Sequence, residues 1–545
     1  MIVNLVSDDD RLDDYGGEHD REGRPIVAIS ADLYENTNAA VAALGADPDL
    51  YCRDAVLVHV VRLDDDDAAD RRAPMAAVTP IMRSLARATL TERLARFASF
   101  VKYDGRKKQD VEVLPPETLV AAVDARGEWP GLRALAGILE TPSMRPDGTL
   151  IETPGYDRAT RYLYMPSADY LPVPRAPTQT QASAALAELL EVFEDFPFAS
   201  QPQRLVPVAA LLSMIARPMI AGAVPGFLFD ATTAGSGKSL EVDAATMVAS
   251  GRAAARMTWP VDDAELEKVL GAYALRGANS IVFDNVDRAF HGGPLEKVLT
   301  AWPLVELRIL GKSKIPTMRW RAVVMASGNN LVVQGDTARR VLVARLEPDG
   351  PRPQDRSDFK HPRLLAWVAA ERPRLVRAAL TLLRAWTIAG RPTPLRATWG
   401  SFEVWASIVP ELLAWAGGPN VMEAQLSADD AARADPLLSA LPAIFDVMEH
   451  LDGGFGVTVK ELVSACYNTT EFGRAVHSPH HAEAAAALDV LGKAKPGQLP
   501  DPARVGYALR AARGRWLADG RKVDHATTKA NTGVRWQVTK RAVGG

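Results

Sequence analysis

One segment restricts the fold of this chain more than any other feature: Thr232-Thr233-Ala234-Gly235-Ser236-Gly237-Lys238-Ser239. It follows a short apolar run and precedes an amphipathic pattern, so the sequence predicts a strand, a tight loop and a helix in that order. Small residues let backbone N–H groups converge on phosphate oxygens at a helix N-terminus. Thr232 stands where the common form of this motif has glycine. The segment therefore predicts a phosphate-binding loop.

The loop contains the groups that a nucleoside triphosphate with magnesium requires. Lys238 can reach the terminal phosphates, and the hydroxyl of Ser239 can bind the metal ion. The predicted contacts to the nucleotide come from Thr233, Ala234, Gly235, Ser236, Gly237, Lys238, Ser239 and Leu240.

A second apolar run, Ser280 to Phe283, ends in an acid. At the C-terminal end of a strand beside the loop, Asp284 can bind the Mg2+ of the nucleotide. Two residues, Asn285 and Asp287, are candidates for positioning the attacking water. Asn285 can orient water but cannot accept its proton, whereas Asp287 can act as a base if the chain turns after the strand. Capping of the next helix is the alternative role for Asp287.

Short apolar runs alternate with amphipathic stretches between the loop and Leu346, which is typical of a sheet flanked by helices. The pattern is helical throughout from His361 to Gly417 and indicates a helical lid. Five strands are predicted at 227–229, 257–259, 281–283, 323–326 and 341–346.

Breaks in the pattern predict three domains. A proline-rich segment, Leu171 to Pro177, marks the first boundary, and a polar stretch from Gly418 to Asp435 marks the second. We therefore expect an α+β domain over 1–175, an α/β core with preceding helices and a lid over 178–420, and a smaller domain over 430–545.

Composition indicates an ordinary globular protein. Hydrophobic residues make up 47% and charged residues 24% of the chain. No apolar run approaches the roughly 20 residues that cross a bilayer, and the first residues do not form a secretory signal. We therefore expect no membrane association and a cytoplasmic location. Cys52 and Cys466 lack the spacing of a zinc site and are predicted to be buried thiols.

Charge is distributed unevenly along the chain. Residues 1–70 hold 18 Asp or Glu against 5 Arg, whereas residues 501–545 hold 10 Lys or Arg against 3 Asp. The basic C-terminal segment is interleaved with Trp516 and Trp536. This combination indicates a candidate nucleic-acid surface.

Together these motifs resemble the AAA+ ATPases of phage, plasmid and integrated-element replication proteins, relatives of superfamily 3 and MCM-like ring helicases. Looser similarities extend beyond the core. GTLIETPGYD (148–157) is similar to a segment of phage primase-helicases, residues 401–417 resemble their lid, and residues 505–516 with 534–538 resemble their C-terminal winged helix.

The resemblance implies an AAA+ module with a five-stranded parallel sheet, flanking helices and a helical lid, between an N-terminal α+β domain and a C-terminal winged-helix domain. It implies ATP and Mg2+ as cofactors and a homo-hexameric ring. Asn329 would be the sensor that contacts the terminal phosphate or the water. Arg339 and Arg340 are both candidates for the arginine that reaches the neighbouring subunit's nucleotide, and an ion pair with Asp336 is the structural alternative. Most family members have Glu at the position of Asn285.

Two basic segments are candidate DNA contacts. Five Lys or Arg and no acid occur between Arg308 and Arg321, in a pattern that predicts a hairpin. The resemblance places Lys312 and Lys314 of this hairpin against single-stranded DNA in the ring's channel; solvated lysines at a hairpin tip are the alternative.

The C-terminal basic segment is predicted to be a helix followed by a β-wing. Val505, Leu509, Ala512 and Trp516 fall on one helical face. Arg510 and Arg513 are then candidate contacts to duplex DNA, and a solvated basic face is the alternative.

The expected function is that of an ATP-driven DNA helicase or translocase for replication of a mobile element. A DNA-binding switch or initiator without unwinding activity is the alternative, and the basic hairpin favours the motor. A primase in the N-terminal region would need clustered carboxylates with a nearby His, and the sequence contains no convincing set. His59 is predicted on a core or edge strand. His477, His480 and His481 are predicted in a loop without Cys or carboxylate partners.

Overall fold

The structure is a computed structural model that describes residues 19–64, 78–233, 235–308, 316–348, 353–426, 436–470, 473–514, 516–517, 519–526 and 534–541. The chain divides into two compact units. The first consists of Met1–Asp287, Gly292–Asn330 and Leu342–Ala424, and the second of Arg288–His291, Leu331–Val341 and Gln425–Gly545. The domain boundaries predicted above stay predictions. Within the described ranges, no helix has both the length and the apolar character needed to cross a membrane.

In the N-terminal part of the first unit, the described residues form three α-helices and several small sheets. Its elements are β1 (Ile26–Ala28), α1 (Leu33–Leu44), β2 (Leu50–Arg53), β3 (Val56–Asp64), β4 (Val78–Ser84), α2 (Arg87–Phe97), β5 (Ser99–Asp104), β6 (Gln109–Val113), α3 (Glu117–Ala125), β7 (Arg133–Ala134), β8 (Gly137–Leu139), β9 (Ser143–Met144), β10 (Leu150–Ile151), β11 (Gly155–Asp157) and β12 (Tyr162–Tyr164). The sheets have the strand orders β1-β5-β6, β4-β3-β2-β7 and β11-β12-β8, and β9 pairs with β10. This mixture agrees with the α+β composition expected for the region.

The rest of the first unit is built around a five-stranded parallel sheet. Its elements are α4 (Gln179–Glu191), α5 (Gln201–Arg204), α6 (Val206–Ile215), β13 (Gly226–Ala231), α7 (Lys238–Ser250), β14 (Arg256–Thr258), α8 (Asp263–Arg276), β15 (Ser280–Val286), α9 (Gly293–Thr300), β16 (Val305–Glu306), β17 (Thr317–Met318), β18 (Val323–Asn329), β19 (Val341–Leu346), α10 (Leu364–Ile388), α11 (Glu403–Ala406) and α12 (Val409–Trp415). All five predicted strands overlap strands of this sheet, whose order is β14-β15-β18-β13-β19. The predicted α/β class is therefore confirmed.

Burial explains why β13 is apolar. Every residue of β13 is buried, because the strand lies between two neighbours with helices packed over the sheet. Its one charged residue, Asp230, accepts a hydrogen bond from Arg345 Nη1 at 2.7 Å. The predicted helical stretch from 361 to 417 contains α10, α11 and α12, with a loop between α10 and α11. Buried residues of α10 share one core with α7 and β13.

The described residues of the second unit include four α-helices, which contribute to an apolar core of their own. Its elements are α13 (Pro436–Leu451), β20 (Val457–Thr458), α14 (Val459–Cys466), β21 (Tyr467–Thr469), β22 (Ala475–His477), α15 (Ala482–Gly492), α16 (Pro502–Ala512), β23 (Arg521–His525) and β24 (Arg535–Lys540). Strands β20, β24 and β23 form an antiparallel sheet in that order. Strand β23 pairs with β24 in antiparallel fashion, and the winged-helix assignment stays a prediction.

Two details differ from the sequence predictions. Helix α16 ends at Ala512, because its C-cap Arg513 leaves the helical conformation with ψ 132° and Gly514 follows with φ +73°. Trp516 therefore lies beyond the helix and is 46% exposed, instead of continuing the buried face of Val505 and Leu509. Cys466 is buried as expected, whereas Cys52 is only partly buried.

Candidate active site

The predicted phosphate-binding loop joins the C-terminal end of β13 to the start of α7. Gly235 and Gly237 have φ +77° and +95°, values that residues with a side chain rarely adopt. A Cβ at Gly237 would also lie 3.1 Å from Cε1 of Phe196. The positive φ therefore favours glycine at both positions, and at Gly237 a Cβ would also require Phe196 to shift. Ala234, also predicted to contact the nucleotide, lies outside the described residues.

Lys238 and Asn329 meet although they are far apart in the sequence. Lys238 is the first residue of α7, and Asn329 is the last residue of β18, which neighbours β13 in the sheet. Lys238 Nζ donates a hydrogen bond to Asn329 Oδ1 at 2.8 Å. Burial lowers the pKa of the Lys238 ammonium, and the charges of Asp284 and Asp230 act in the opposite direction. The pair places a cation and an amide together beside the loop.

A second contact joins the loop to the acid strand. Ser239 Oγ donates a hydrogen bond to Asp284 Oδ1 at 3.0 Å, and Ser327 Oγ donates to the same oxygen. Burial acts to raise the pKa of Asp284, but the hydrogen bond from Ser327 and the charge of Arg256 outweigh it, so the pKa lies below its ordinary value. The carboxylate is therefore ionised at neutral pH.

Arg256 is a site residue that the sequence analysis missed. Its Nη1 donates to Asp284 Oδ2 at 2.9 Å, and its Nη2 bonds to Asp243 and to the carbonyl oxygen of Ser239. Arg256 begins β14, the strand beside β15, so its position depends on which strands are neighbours. The predicted strand started one residue later, at Met257, and a basic residue directly before an apolar run is too common to attract notice.

The two candidates for positioning water follow Asp284 at an irregular point of β15. The strand register shifts between Phe283 and Val286, and Asn285 has φ +51°. Asn285 and Asp287 are both exposed. The interpretation of Asp287 as a helix cap is wrong, because α9 begins at Gly293 and its N-cap is Gly292. For both residues, the role of positioning water stays a prediction.

Asn330 differs in role from its neighbour Asn329. Its backbone N–H donates to the carbonyl of Ala231 at 3.0 Å, and its side-chain Nδ2 donates to the carbonyl of Thr232 at 3.3 Å. Its φ of +49° is one that asparagine tolerates better than most residues. Asn330 thus stabilises the start of the phosphate-binding loop, whereas Asn329 presents its amide oxygen to Lys238.

Arg339 and Arg340 belong to the second unit. They end a short 3-10 helix, Gly335–Arg340, and both form ion pairs with Asp336. The side chain of Arg339 is 60% exposed and that of Arg340 only 12%. The ion pair with Asp336, which the sequence predicted for at least one of the two arginines, therefore forms with both. Contact of either arginine with the nucleotide of a neighbouring subunit stays a prediction.

The predicted basic hairpin is described only at its base. Strands β16 and β17 pair in antiparallel fashion, with Val305 opposite Met318. Lys312 and Lys314 lie outside the described residues. Arg319 is held by the carboxylate of Asp54. The backbone N–H of Arg319 donates to Asp54 Oδ2 at 3.0 Å, and Arg319 Nη1 donates to Asp54 Oδ1 at 2.7 Å. At least this basic residue of the segment has a structural partner.

The C-terminal arginines also have partners within their unit. Arg510 Nε donates to the carbonyl of Gly506 at 3.3 Å, and its guanidinium lies over the ring of Tyr507. Arg513 Nε donates to Asp524 Oδ1 at 2.8 Å. The ion pair offsets the charge of Arg513, and contact of either residue with DNA stays a prediction.

The histidines do not form a metal site in the described part of the chain, where no group of three or more potential ligands occurs. His59 lies on β3, which is interior to its sheet because β2 and β4 pair on either side. Burial, then the charge of Arg93, lowers its pKa. The expectation that His477 lies in a loop without a carboxylate partner is wrong: it ends β22, and its Nε2 is 2.6 Å from Asp489 Oδ2.

Comparisons with known proteins give little further information. No known protein family and no curated protein matches the sequence. Among solved structures, "The A form apo structure of NrS-1 C terminal region-CTR" aligns at 12% identity and a TM-score of 0.30, covering 78% of this chain and 91% of that chain. A structure titled with residues 305-718 of the same region aligns at 12% identity and a TM-score of 0.30, covering 72% and 80%. These scores are too low to carry an argument about function.

Proposed function

We propose that this chain hydrolyses ATP at the site formed by the phosphate-binding loop, Asp284 and Asn329. The observation that carries the proposal is a pair of hydrogen bonds that join the start of α7 to two strands of the sheet. Lys238 bonds to Asn329 of β18, and Ser239 bonds to Asp284 of β15. Phosphoryl transfer needs a cation, oxygens that bind a metal ion, and polar groups beside a glycine-rich helix N-terminus. These four residues and the adjacent glycines would supply them.

Each residue then has a defined task. Lys238 neutralises charge on the terminal phosphates, and the backbone of Gly235 to Ser239 donates hydrogen bonds to phosphate oxygens. Ser239 Oγ and Asp284 Oδ1, 3.0 Å apart, are oxygen donors of the kind that Mg2+ prefers and would hold it. Bound Mg2+ would supply charge neutralisation on the phosphates. Asn329 would direct its amide towards the terminal phosphate or the water.

The position of Arg256 leads to a prediction about magnesium. Its guanidinium contacts Asp284, so it repels a cation bound at that carboxylate. We expect Arg256→Ala to lower the Mg2+ concentration for half-maximal ATPase activity by about fivefold, because a unit charge near 4 Å contributes about 1 kcal/mol in water-like surroundings. Arg256→Lys retains the charge and should retain the wild-type requirement. An identical Mg2+ titration for wild type and Arg256→Ala would contradict this role.

We further propose that hydrolysis drives a ring-forming DNA helicase or translocase that serves replication of a mobile element. Three features support this proposal, because such a motor is expected to have them. They are the strand order of the core sheet, the antiparallel pairing of β16 with β17 at the base of the basic hairpin, and the pairing of β23 with β24. Arg339 is the better candidate for reaching a neighbouring subunit, since its side chain is far more exposed than that of Arg340. The ring is proposed to be a homo-hexamer.

The direct test is ATPase activity with and without single-stranded DNA, together with unwinding of a forked duplex. Stimulation and unwinding are the expected results. ATPase activity that DNA stimulates without any unwinding would favour the alternative of a DNA-binding switch. Absence of ATPase activity would contradict the proposed site itself.

The double variant Lys312→Ala, Lys314→Ala tests the hairpin. We expect basal ATPase activity to be retained, because neither lysine belongs to the nucleotide site, and DNA stimulation and unwinding to fall together. The logarithmic salt dependence of single-strand binding should decrease by about 0.7 for each phosphate that the variant no longer binds. The exposed pair Lys102→Ala, Lys107→Ala serves as the control. Normal unwinding by the hairpin variant would show that its lysines do not bind the translocating strand.

A further inference from the structure

A cavity of about 810 Å³ lies in the first unit. Asp284 and Asn329 lie near the C-terminal ends of β15 and β18, whereas the cavity lies where β15 begins and reaches Ala255, the residue before Arg256. Its walls come from β4, β8 and the residue that follows it, the segment after α7, the C-terminal part of α8 and the segment that leads into β15. The volume is within the range typical of small-molecule sites, about 300–1,000 Å³.

The lining has an excess of positive charge. Three arginines, Arg83, Arg252 and Arg276, line the cavity, and Glu140 is the single acid among the described residues that do so. Glu140 is already occupied, because both Nη atoms of Arg252 bond to its carboxylate oxygens. Arg83 and Arg276 are exposed and form no ion pair within the described ranges. Two guanidinium groups therefore remain available to an anion.

The other walls are apolar and contain small side chains. Met82 and Ile138 are apolar residues of the lining, and the ring of Tyr273 lies 5.9 Å from the guanidinium of Arg276. The small residues, which leave the space open, are Ala253, Ala254, Ala255, Ala272, Gly277 and Ala278. A ligand that fits must therefore combine an anionic group with an apolar or planar body.

We propose that this cavity is a second ligand site, for a phosphorylated organic molecule of the size of a nucleoside monophosphate. Arg83 and Arg276 hold the phosphate, because the planar guanidinium donates paired hydrogen bonds that match phosphate oxygens. The organic body packs on the apolar wall. Asn279 Oδ1, a buried atom without a hydrogen-bond partner among the described residues, remains to orient it, and Asn279 is itself fixed by a bond from its Nδ2 to the carbonyl of Ile138 at 2.9 Å.

The inference does not depend on ATP hydrolysis at the phosphate-binding loop, and the experiment keeps the two apart. Binding of AMP is measured by calorimetry on Lys238→Ala protein, with adenosine and inorganic phosphate as partial probes. We expect AMP to bind at one site per chain and more tightly than either partial probe. Adding Arg83→Ala and Arg276→Ala should weaken AMP binding by at least about tenfold, because both guanidinium groups that donate charge-assisted hydrogen bonds to the phosphate are removed.

Two further variants make the result specific. Ala272→Trp, at an exposed position of α8, should prevent AMP binding by filling the cavity while leaving both arginines in place. Arg106→Ala removes an exposed arginine outside the lining and should have no effect. Thermal unfolding of each variant verifies that it is folded.

Three outcomes would overturn the proposal. The first is no AMP binding up to about 1 mM, which corresponds to about −4.1 kcal/mol. The second is AMP binding that neither the arginine variants nor Ala272→Trp weakens. The third is inorganic phosphate or a short single-stranded oligonucleotide binding as tightly as AMP, which would make the arginines a general anion surface.

Discussion

Lys238→Ala is expected to abolish ATP hydrolysis and to weaken nucleotide binding. Lys238 is 8% exposed, and its ammonium donates a hydrogen bond to Asn329 at the start of α7, where the proposed site places the phosphates. Removing one preorganised charge that stabilises a transferring phosphoryl group costs about 10²–10³-fold in turnover. Steady-state ATPase activity and nucleotide calorimetry on the same preparation measure the two effects.

A matched control separates loss of the ammonium from general damage. Lys102→Ala removes an exposed lysine from β5 and should leave turnover unchanged. The thermal unfolding midpoint should be similar for both variants, because Lys238 contributes its charge to the site and little apolar packing. Wild-type turnover in folded Lys238→Ala protein would remove the phosphate-binding loop from the proposed mechanism.

Asp287→Ala is expected to lower turnover about a hundredfold while nucleotide binding is retained, as general-base removal does. With the role in helix capping excluded by the N-cap at Gly292, Asp287 is the exposed carboxylate nearest in sequence to Asp284. Asn285 cannot accept a proton, and its backbone N–H is 3.4 Å from Ser327 Oγ. Asn285→Ala should therefore have the smaller effect. Single-turnover hydrolysis at saturating ATP measures the step directly.

The comparison between these two variants decides the assignment. Asp287→Asn keeps the shape of the side chain and removes only its basicity, so it should be as slow as Asp287→Ala. Normal turnover in both Asp287 variants, together with a large loss in Asn285→Ala, would transfer the role to Asn285 and leave proton acceptance to another group.

The contacts around Asp284 illustrate why the candidate site could be predicted only in part. Asp284 itself ends an apolar run, a pattern that consecutive residues encode. Ser327 and Arg256 come from β18 and β14, which flank β15 in the sheet. Neither residue has a local signature, because adjacency of strands is set by packing between segments far apart in the chain. The bond of Lys238 to Asn329 has the same origin.

The loop, the five core strands, the helices between 361 and 417 and Asp284 could be predicted from the sequence, because each depends on spacing within one short segment. Long-range folding sets which side chains surround Asp284, places Arg319 against Asp54, and pairs both Arg339 and Arg340 with Asp336. It also accounts for the errors at Trp516 and His477: the chain leaves the helical conformation at Arg513 and Gly514, and folding brings Asp489 to His477. Local patterns specify backbone elements, whereas the partners of a polar side chain depend on long-range packing that no short segment contains.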